Sequence, residues 1–327
     1  MKKLVNKRLS LILATLMMIS LVIVGCSSDS DEADSKNKTD EISTNSKESI
    51  KFENDDYIVS IDWLKENLNK KELLILDARG EEDYKKGHIP GAISVTWQQF
   101  SKIDGKPGET EWGTVLDAKE LSEKLSAIGV TKDKDIVVYA DTQKGWGDDG
   151  RIVWMLRMAG IDNSKILDGG WNYWNASKNE VSKETETPAR SSFELSAIQN
   201  IEKMNIRTEE IVDKLKDLVI IDTREKEEYE GATKFGEARG GHLPGAINIT
   251  FSEFLNKDGT LKKPEEIKEI LDKNGIEKDD EIVTYCTAGI RSAHMQIVLT
   301  MIGYDNVRNY DQSFYSWAGD NNLEIEK

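Results

Sequence analysis

Short apolar runs alternate with amphipathic stretches along most of this chain. Four runs are rich in Leu, Ile and Val and lie at residues 73–76, 136–139, 218–221 and 282–285. Runs of this length and composition are typical of strands buried on both faces of a parallel sheet. Helical patterns separate them: Ser60 and Thr208 are predicted N-caps, and Pro264 stands at a predicted first helical position. The pattern predicts an α/β fold with wound, mostly parallel sheets and ligands at the carboxyl ends of the strands.

The pattern occurs twice. LLILDARGEEDYKKGHIPGAISVTWQQF (73–100) corresponds to LVIIDTREKEEY and GGHLPGAINITFSEF (within 218–254), and DIVVYA (135–140) corresponds to EIVTYC (281–286). Repetition of this kind indicates two copies of one domain. We assign the copies to residues 57–175 and 204–327, joined by a polar linker at 176–203.

The N-terminus has a different character. A basic start is followed by an apolar stretch at 9–25, and a small residue, Gly25, precedes Cys26. This resembles a bacterial lipoprotein signal, in which cleavage exposes a cysteine that is then lipidated. The alternative is an uncleaved anchor, because about 17 apolar residues can just span a bilayer. Residues 26–56 are polar and predict a disordered tether, so we expect an extracytoplasmic protein anchored to the cell membrane through lipid on Cys26.

Composition narrows the choice of partners. The 327 residues carry a formal charge of −16, which argues against nucleic acid and against binding to anionic membranes by surface charge. An anionic substrate therefore needs a local positive site. The chain has two cysteines, and if Cys26 carries lipid then Cys286 has no intrachain disulfide partner.

Cys286 follows an apolar run and opens the loop CTAGIR, which precedes a helical pattern. A short loop between strand and helix directs backbone N–H groups inward, and the positive end of the helix adds to their effect. With Arg291 nearby, such a loop favours the thiolate and lowers the pKa of a cysteine to roughly 3.5–7.5. The alternative for Cys286 is a buried structural thiol, and the alternative for Arg291 is a surface charge that caps the helix.

The ordered set of motifs is similar to the rhodanese, or sulfurtransferase, family. It comprises an Asp-x-Arg after the first strand of each copy, a Gly-His-x-Pro-Gly-Ala turn and the Cys-x-x-Gly-x-Arg loop of the second copy, and the likeness covers roughly residues 57–320. The resemblance implies two tandem rhodanese-like domains with catalysis in the second. It also implies transfer of sulfur from a small anionic donor, through a cysteine persulfide, to cyanide or a thiol acceptor, with no metal or organic cofactor.

The resemblance assigns roles within the loop. Cys286 and Arg291 are the expected catalytic residues, and the Arg291 guanidinium is expected to hold the oxyanion of the donor. The backbone amides expected to hold the negative sulfur are those of Thr287, Ala288, Gly289, Ile290 and Arg291.

The donor is less well defined by the sequence. Relatives that use 3-mercaptopyruvate carry carboxylate-binding arginines, but Glu228 falls where the first is expected, and Glu237 or Arg239 falls where the second is expected. A glutamate should repel a carboxylate donor. Thr287 and Ala288 are neutral where thiosulfate-type loops are usually basic, yet Arg291 resembles the single-domain rhodaneses, which leaves thiosulfate the favoured donor.

Several residues have competing interpretations. Arg224 and Arg239 are candidate substrate-binding residues, although the recurrence of Asp-x-Arg in both copies favours a structural ion pair for Arg224. We expect His88 and His242 to be hydrogen-bonded scaffold, and His294 to face solvent.

The first copy has no nucleophile, because Ala140 stands where Cys286 stands in the second. Trp146, in its longer acidic loop, is either a lid over the cleft or an exposed indole. The loop aspartates, Asp141, Asp148 and Asp149, lack recognised metal-ligand spacing.

Two other functions stay open. Phosphatases of this fold place five residues between cysteine and arginine, one more than here, which gives a wider cradle for phosphate. The other alternative is a non-enzymatic persulfide carrier or binding module.

Overall fold

The computed structural model describes residues 51–327, and its first half is one α/β unit. Its strands are β1 (Ile58–Val59), β2 (Leu73–Asp77), β3 (Ala92–Ser94), β4 (Asp135–Tyr139) and β5 (Ser164–Leu167). Its α-helices are α1 (Ile61–Asn67), α2 (Glu81–Lys86), α3 (Ala118–Ala127), α4 (Asp148–Met158) and α5 (Gly170–Ala176).

The second half repeats the first. Its strands are β6 (Asn205–Ile206), β7 (Val219–Asp222), β8 (Ile247–Asn248), β9 (Ile282–Tyr285) and β10 (Val307–Tyr310). Its α-helices are α6 (Ile201–Met204), α7 (Thr208–Lys214), α8 (Lys226–Tyr229), α9 (Pro264–Lys273), α10 (Ile290–Met301) and α11 (Ser313–Gly319).

Each half contains one five-stranded sheet, with strand orders β1-β5-β4-β2-β3 and β6-β10-β9-β7-β8. Every pair of adjacent strands is parallel, and β2 pairs with β4 in the same way that β7 pairs with β9. Parallel pairing requires crossover connections, and the helices that supply them cover both faces of each sheet. The predicted fold class, two tandem α/β domains with wound parallel sheets, is confirmed.

The helix starts test the local predictions. Ser60 caps α1, because its Oγ accepts a hydrogen bond from the Trp63 amide at 3.1 Å. Pro264 is the first residue of α9, as predicted. The prediction for Thr208 was one residue out: it is the first residue of α7, and its hydroxyl pairs with the Tyr310 hydroxyl at 2.5 Å.

The two halves meet through α4 and α10, which pack against each other. A side chain at Gly150 would place its Cβ 2.6 Å from the Cα of His294, so the contact depends on glycine. His294 is 4% exposed, and the expectation that it faces solvent was wrong. Burial lowers the pKa of His294 to about 4, so this side chain is neutral at physiological pH.

The Asp-x-Arg pairs have the same geometry in both halves. Asp77 accepts two hydrogen bonds from the Arg79 guanidinium, and the Asp222 carboxylate accepts equivalent bonds from Arg224. Each arginine also donates to a backbone carbonyl of the following turn, and for Arg224 this is the Gly241 carbonyl at 2.7 Å. These contacts tie the strand end to the turn, which is the structural role that recurrence favoured.

The histidines of the two turns are also scaffold. His88 stacks on Tyr84 with ring centroids 3.7 Å apart, and His242 stacks on Tyr229 at 3.6 Å. In both pairs the histidine Nδ1 lies 2.9 Å from the backbone carbonyl oxygen of the same tyrosine.

The polar stretch at 176–203 packs against the first half. Phe193 and Leu195 are buried, and the Leu195 amide donates to Ser122 Oγ of α3 at 2.7 Å. The predicted signal and most of the tether, including Cys26, lie outside the described residues. Within residues 51–327 no helix is both long enough and apolar enough to cross a membrane.

Candidate active site

Cys286 is the first residue after β9, at the carboxyl edge of the second sheet. Its loop ends at Gly289, and α10 begins at the next residue. Gly289 has a φ of +80°, and a Cβ there would lie 2.7 Å from the Asp311 carbonyl oxygen. Glycine is therefore required at this position, because any side chain would be strained and would collide with backbone.

The thiol is buried, with Cys286 only 1% exposed. The Gly289 amide donates a hydrogen bond to its Sγ at 3.1 Å. Burial by itself would raise the pKa of Cys286, but the Arg291 charge, the Ser292 amide and hydroxyl and the Ala288 amide outweigh it. The pKa of this thiol consequently lies below its ordinary value, and the thiolate is favoured.

One feature of this environment was not expected from the sequence. Ser292 lowers the pKa of Cys286 although sequence reasoning did not include it. Its hydroxyl is buried and has no hydrogen-bond partner among the described residues. The signal for it was available, since Ser292 lies in the first turn of α10. Hydrogen bonds to the sulfur from the amides of Thr287, Ile290 and Arg291 stay a prediction for the bound sulfur.

Arg291 is engaged by Glu228, which extends from α8. Its two terminal nitrogens donate to the two carboxylate oxygens at 2.7 and 2.8 Å, so the pair is bidentate. The Thr287 hydroxyl donates to the same carboxylate at 3.0 Å. Burial would raise the pKa of Glu228, but the bonds from Arg291 hold it below its ordinary value, so Glu228 is ionised.

A cavity of about 180 Å³ opens in front of the thiol. The loop contributes Cys286, Thr287, Ala288, Ile290 and Arg291 to its lining. The rest of the lining is aromatic and consists of Trp97, Trp112, Trp146, Phe235 and Tyr315. Both halves of the chain therefore build the cavity, since three tryptophans come from the first half.

Trp146 covers one side of this cavity. Its ring centre lies 4.8 Å from the Arg291 guanidinium carbon, and it packs edge-on against Phe235 at 5.4 Å. Trp146 is still 40% exposed. Its position fits a lid over the cleft, one of the two interpretations that the sequence allowed.

The first half also supports the loop from below through Arg151, which sequence reasoning missed. Its guanidinium pairs with the buried Asp311 carboxylate at 2.5 Å and donates to the Gly289 carbonyl at 3.3 Å and the Gly113 carbonyl at 3.0 Å. Asp311 in turn accepts a hydrogen bond from the Val115 amide. No local pattern could have identified this pair, because Arg151 and Asp311 are 160 positions apart.

The structure does not bring every candidate to the cavity. Arg224 is buried against Asp222, and it is absent from the lining of the cavity described above. Arg239 is absent from that lining as well, and its guanidinium donates to the backbone carbonyls of Trp317, Ala318 and Leu323. Arg239 thus holds the end of α11 and the segment that follows it.

In the first half, a carboxylate of the chain itself binds at the start of α4, the helix that corresponds to α10. Asp149, at the start of α4, accepts a hydrogen bond from the Gly150 amide, and the Ala140 amide also acts on its carboxylate. Burial raises the pKa of Asp149 to about 6 and that of Asp148 likewise to about 6. In residues 51–327 no three His, Cys, Asp or Glu side chains are grouped to hold a metal ion.

Residues 51–327 thus form two wound α/β domains, and the one cysteine among them lies at the edge of the second sheet and accepts a hydrogen bond from a loop amide. This arrangement is that of a two-domain protein with a reactive thiol. Models of the rhodanese-like domain match residues 60–177 and 207–320, so the chain belongs to the rhodanese-like family.

Similar proteins indicate the chemistry. "Putative thiosulfate sulfurtransferase" of Saccharopolyspora erythraea is 28% identical over 83% of this chain and 96% of its own length. "Sulfur carrier protein TtuD" of Thermus thermophilus is also 28% identical, over 80% of this chain and 93% of its own length. These relatives support sulfur transfer as the general activity.

A solved structure shares the fold. It is the anaerobic ergothioneine biosynthesis enzyme from Chlorobium limicola in complex with trimethyl histidine, with a TM-score of 0.75 and 20% identity. The match covers 84% of this chain and 71% of that enzyme.

Proposed function

We propose that this protein is a sulfurtransferase that carries sulfane sulfur as a persulfide on Cys286. The observation that carries the proposal is the buried thiol, which accepts a hydrogen bond from the Gly289 amide and has a pKa below its ordinary value. A thiolate is the nucleophilic form of cysteine, and a loop of amides stabilises negative sulfur in both the free and the loaded enzyme.

The reaction has two halves. The Cys286 thiolate attacks the outer sulfur of a donor such as thiosulfate, the donor S–S bond breaks, and its electron pair leaves with sulfite. Cyanide or a thiolate then attacks the outer sulfur of the persulfide. The second S–S bond breaks, its electron pair returns to Cys286, and thiocyanate or a hydropersulfide leaves.

The site residues divide this work. Gly289 donates its amide to the cysteine sulfur, and Arg291 supplies the positive charge that opposes the effect of burial on the thiol. Arg291 is also proposed to meet the oxyanion of the donor, a role that Glu228 limits because it already binds both terminal nitrogens.

The experiment replaces the nucleophile. We expect Cys286→Ser to abolish thiocyanate production from thiosulfate and cyanide, because an alcohol cannot form the persulfide. In the parent protein, intact-mass analysis after exposure to thiosulfate should show one added sulfur on Cys286. Full turnover by Cys286→Ser would refute the assignment.

A lipid anchor on Cys26 is part of the same proposal and rests on the basic and apolar residues that precede it. Cys26→Ser serves as the matched control for the first variant. It should release the protein from the membrane fraction and leave thiocyanate production intact. Turnover lost together with membrane attachment would contradict this separation of the two cysteines.

A persulfide carrier is the second candidate, supported by the relative from Thermus thermophilus that is named as a sulfur carrier. Carrier and enzyme share the Cys286 persulfide and differ in the second half-reaction. Persulfide that forms but passes to no small acceptor would favour the carrier.

A phosphatase would hydrolyse an aryl phosphate, and an assay with that substrate distinguishes it from a sulfurtransferase.

A further inference from the structure

The walls in front of Cys286 are more aromatic than a site for small inorganic ions requires. Trp112 makes edge contacts with Trp97 at 5.9 Å and with Tyr315 at 5.7 Å, and Trp146 and Phe235 belong to the same lining. Aromatic carbon offers little to a strongly hydrated ion and a large contact area to an organic ring.

The size of the cavity agrees with a ring. An apolar cavity of about 150 Å³ is known to bind benzene. The cavity here measures about 180 Å³. It therefore has room for one six-membered ring with a small substituent, whereas cyanide or a short aliphatic thiol would leave much of the aromatic surface without contacts.

The charges at the site restrict the charge that an acceptor can carry. Arg291 is the one cationic side chain in the lining of this cavity, and the Glu228 carboxylate binds it through both oxygens. Glu228 is 1% exposed, so solvent screens its charge little. When Cys286 carries a persulfide anion, the arginine is outnumbered by two negative groups, and each further negative charge on an acceptor is disfavoured.

We propose that the acceptor is a single-ring organic thiol whose only negative charge is that of its reacting thiolate, and that Glu228 is the residue that disfavours acceptors with any further negative charge. This inference rests on the proposed sulfurtransferase function and names the substrate class of the same site. The thiolate of the acceptor attacks the outer sulfur of the Cys286 persulfide. The S–S bond breaks, its electron pair returns to Cys286, and the ring leaves as its persulfide anion.

The test compares two rings of equal size. Protein is loaded with excess thiosulfate and desalted, and the loss of the added sulfur from Cys286 is then followed by intact mass in a single turnover. The acceptors are 4-mercaptobenzamide, whose ring substituent is neutral, and 4-mercaptobenzoate, whose ring substituent is anionic, and both react through the thiolate. Each rate is divided by the rate of the same thiol with glutathione persulfide in solution, which removes differences in intrinsic nucleophilicity.

We expect the normalised rate to favour the amide at least tenfold in the parent protein. In Glu228→Gln the preference should fall to within about threefold, because one negative charge is lost while the side chain keeps its size. Glu227→Gln, an exposed neighbour on α8, is the control and should keep the parent preference. Equal normalised rates in the parent, or an unchanged preference in Glu228→Gln, would overturn the proposal.

A second comparison tests the aromatic wall. The normalised rate of 4-mercaptobenzamide should exceed that of 2-mercaptoethanol at least tenfold, and Trp112→Leu should reduce this ratio severalfold. Equal normalised rates for the two thiols in the parent protein would show that the acceptor does not need a ring. Failure of the proposed function has a different signature, because no sulfur would then be found on Cys286 before any acceptor is added.

Discussion

The Cys286 sulfur lies where burial and charge act in opposite directions. Burial raises the pKa of the thiol, whereas Arg291 and the donors at the start of α10 lower it, and the balance favours the thiolate. The loop sequence was sufficient to predict a reactive cysteine, since glycine and a nearby arginine are local features. It could not reveal that Glu228 pairs with this arginine, because the two residues are 63 positions apart.

The balance can be measured through the ionisation of Cys286. In Arg291→Gln the cation is lost and Glu228 is left without its partner, so the pKa of the thiol should rise by about one unit or more. The rate of alkylation by iodoacetamide then reaches half its maximum at a correspondingly higher pH, and reactivity at neutral pH falls. Arg190→Gln, at an exposed position, is the control. An unchanged midpoint in Arg291→Gln would show that Arg291 does not stabilise the thiolate.

At the scale of elements, α4 and α10 both have a negatively charged group at the helix start. In the second half the helix start faces the cysteine sulfur, and in the first half the Asp149 carboxylate accepts the Gly150 amide. Helix N-termini favour negative groups, so a carboxylate can take the place that sulfur has in the other half. The sequence showed the loss of the nucleophile at Ala140. It did not show that the Asp149 carboxylate binds the Gly150 amide at the start of α4.

Asp149 makes the stability of the folded protein depend on pH. Its pKa is raised to about 6 in the folded protein, against about 3.9 in an unfolded chain. The folded state therefore binds more protons between these values, and stability that is fully present below about pH 4 is lost as the pH rises through 6. Asp149→Asn removes this loss and should stabilise the protein by about 2–3 kcal/mol at pH 7.5, and by little at pH 4.

Urea unfolding at the two pH values checks this expectation. His294 changes stability in the opposite sense, because its pKa is lowered to about 4 and its contribution is lost as the pH falls below about 6.5. The measurement is therefore the difference between variant and parent at each pH. Asp162→Asn, at an exposed position, should stay within about 0.5 kcal/mol of the parent. A gain of equal size at both pH values would argue against titration of Asp149.

At the scale of the whole molecule, the first half completes a site whose chemistry belongs to the second. Its tryptophans wall the cavity, and Arg151 crosses to hold the Gly289 carbonyl and the Asp311 carboxylate. The duplicated motifs predicted two domains and a catalytic second copy. They did not predict which side chains of the first copy would reach the loop.

The ion pair between the halves can be tested by a double-mutant cycle. Arg151→Met leaves the Asp311 carboxylate buried and unpaired, so it should cost about 3–5 kcal/mol of the free energy of unfolding. Adding Asp311→Asn removes that charge, and the double variant should be less destabilised than the sum of the single variants by about 0.5–3 kcal/mol. Lys278→Met, which breaks an exposed pair with Glu53, is the control and should leave the free energy of unfolding close to that of the parent. Strict additivity in the cycle would show that the pair is not coupled.

The sequence by itself determined the α/β class, the duplication, the position of the reactive cysteine and the structural character of the Asp-x-Arg pairs. Each of these follows from residues that are close in the chain or from comparison of its two copies. Tertiary structure decided the partner of Arg291, the aromatic cavity, the Arg151–Asp311 pair and the burial of His294. The physical reason is that these contacts join segments far apart in the chain, from 63 positions for Arg291 and Glu228 to 160 for Arg151 and Asp311, and no local pattern records them.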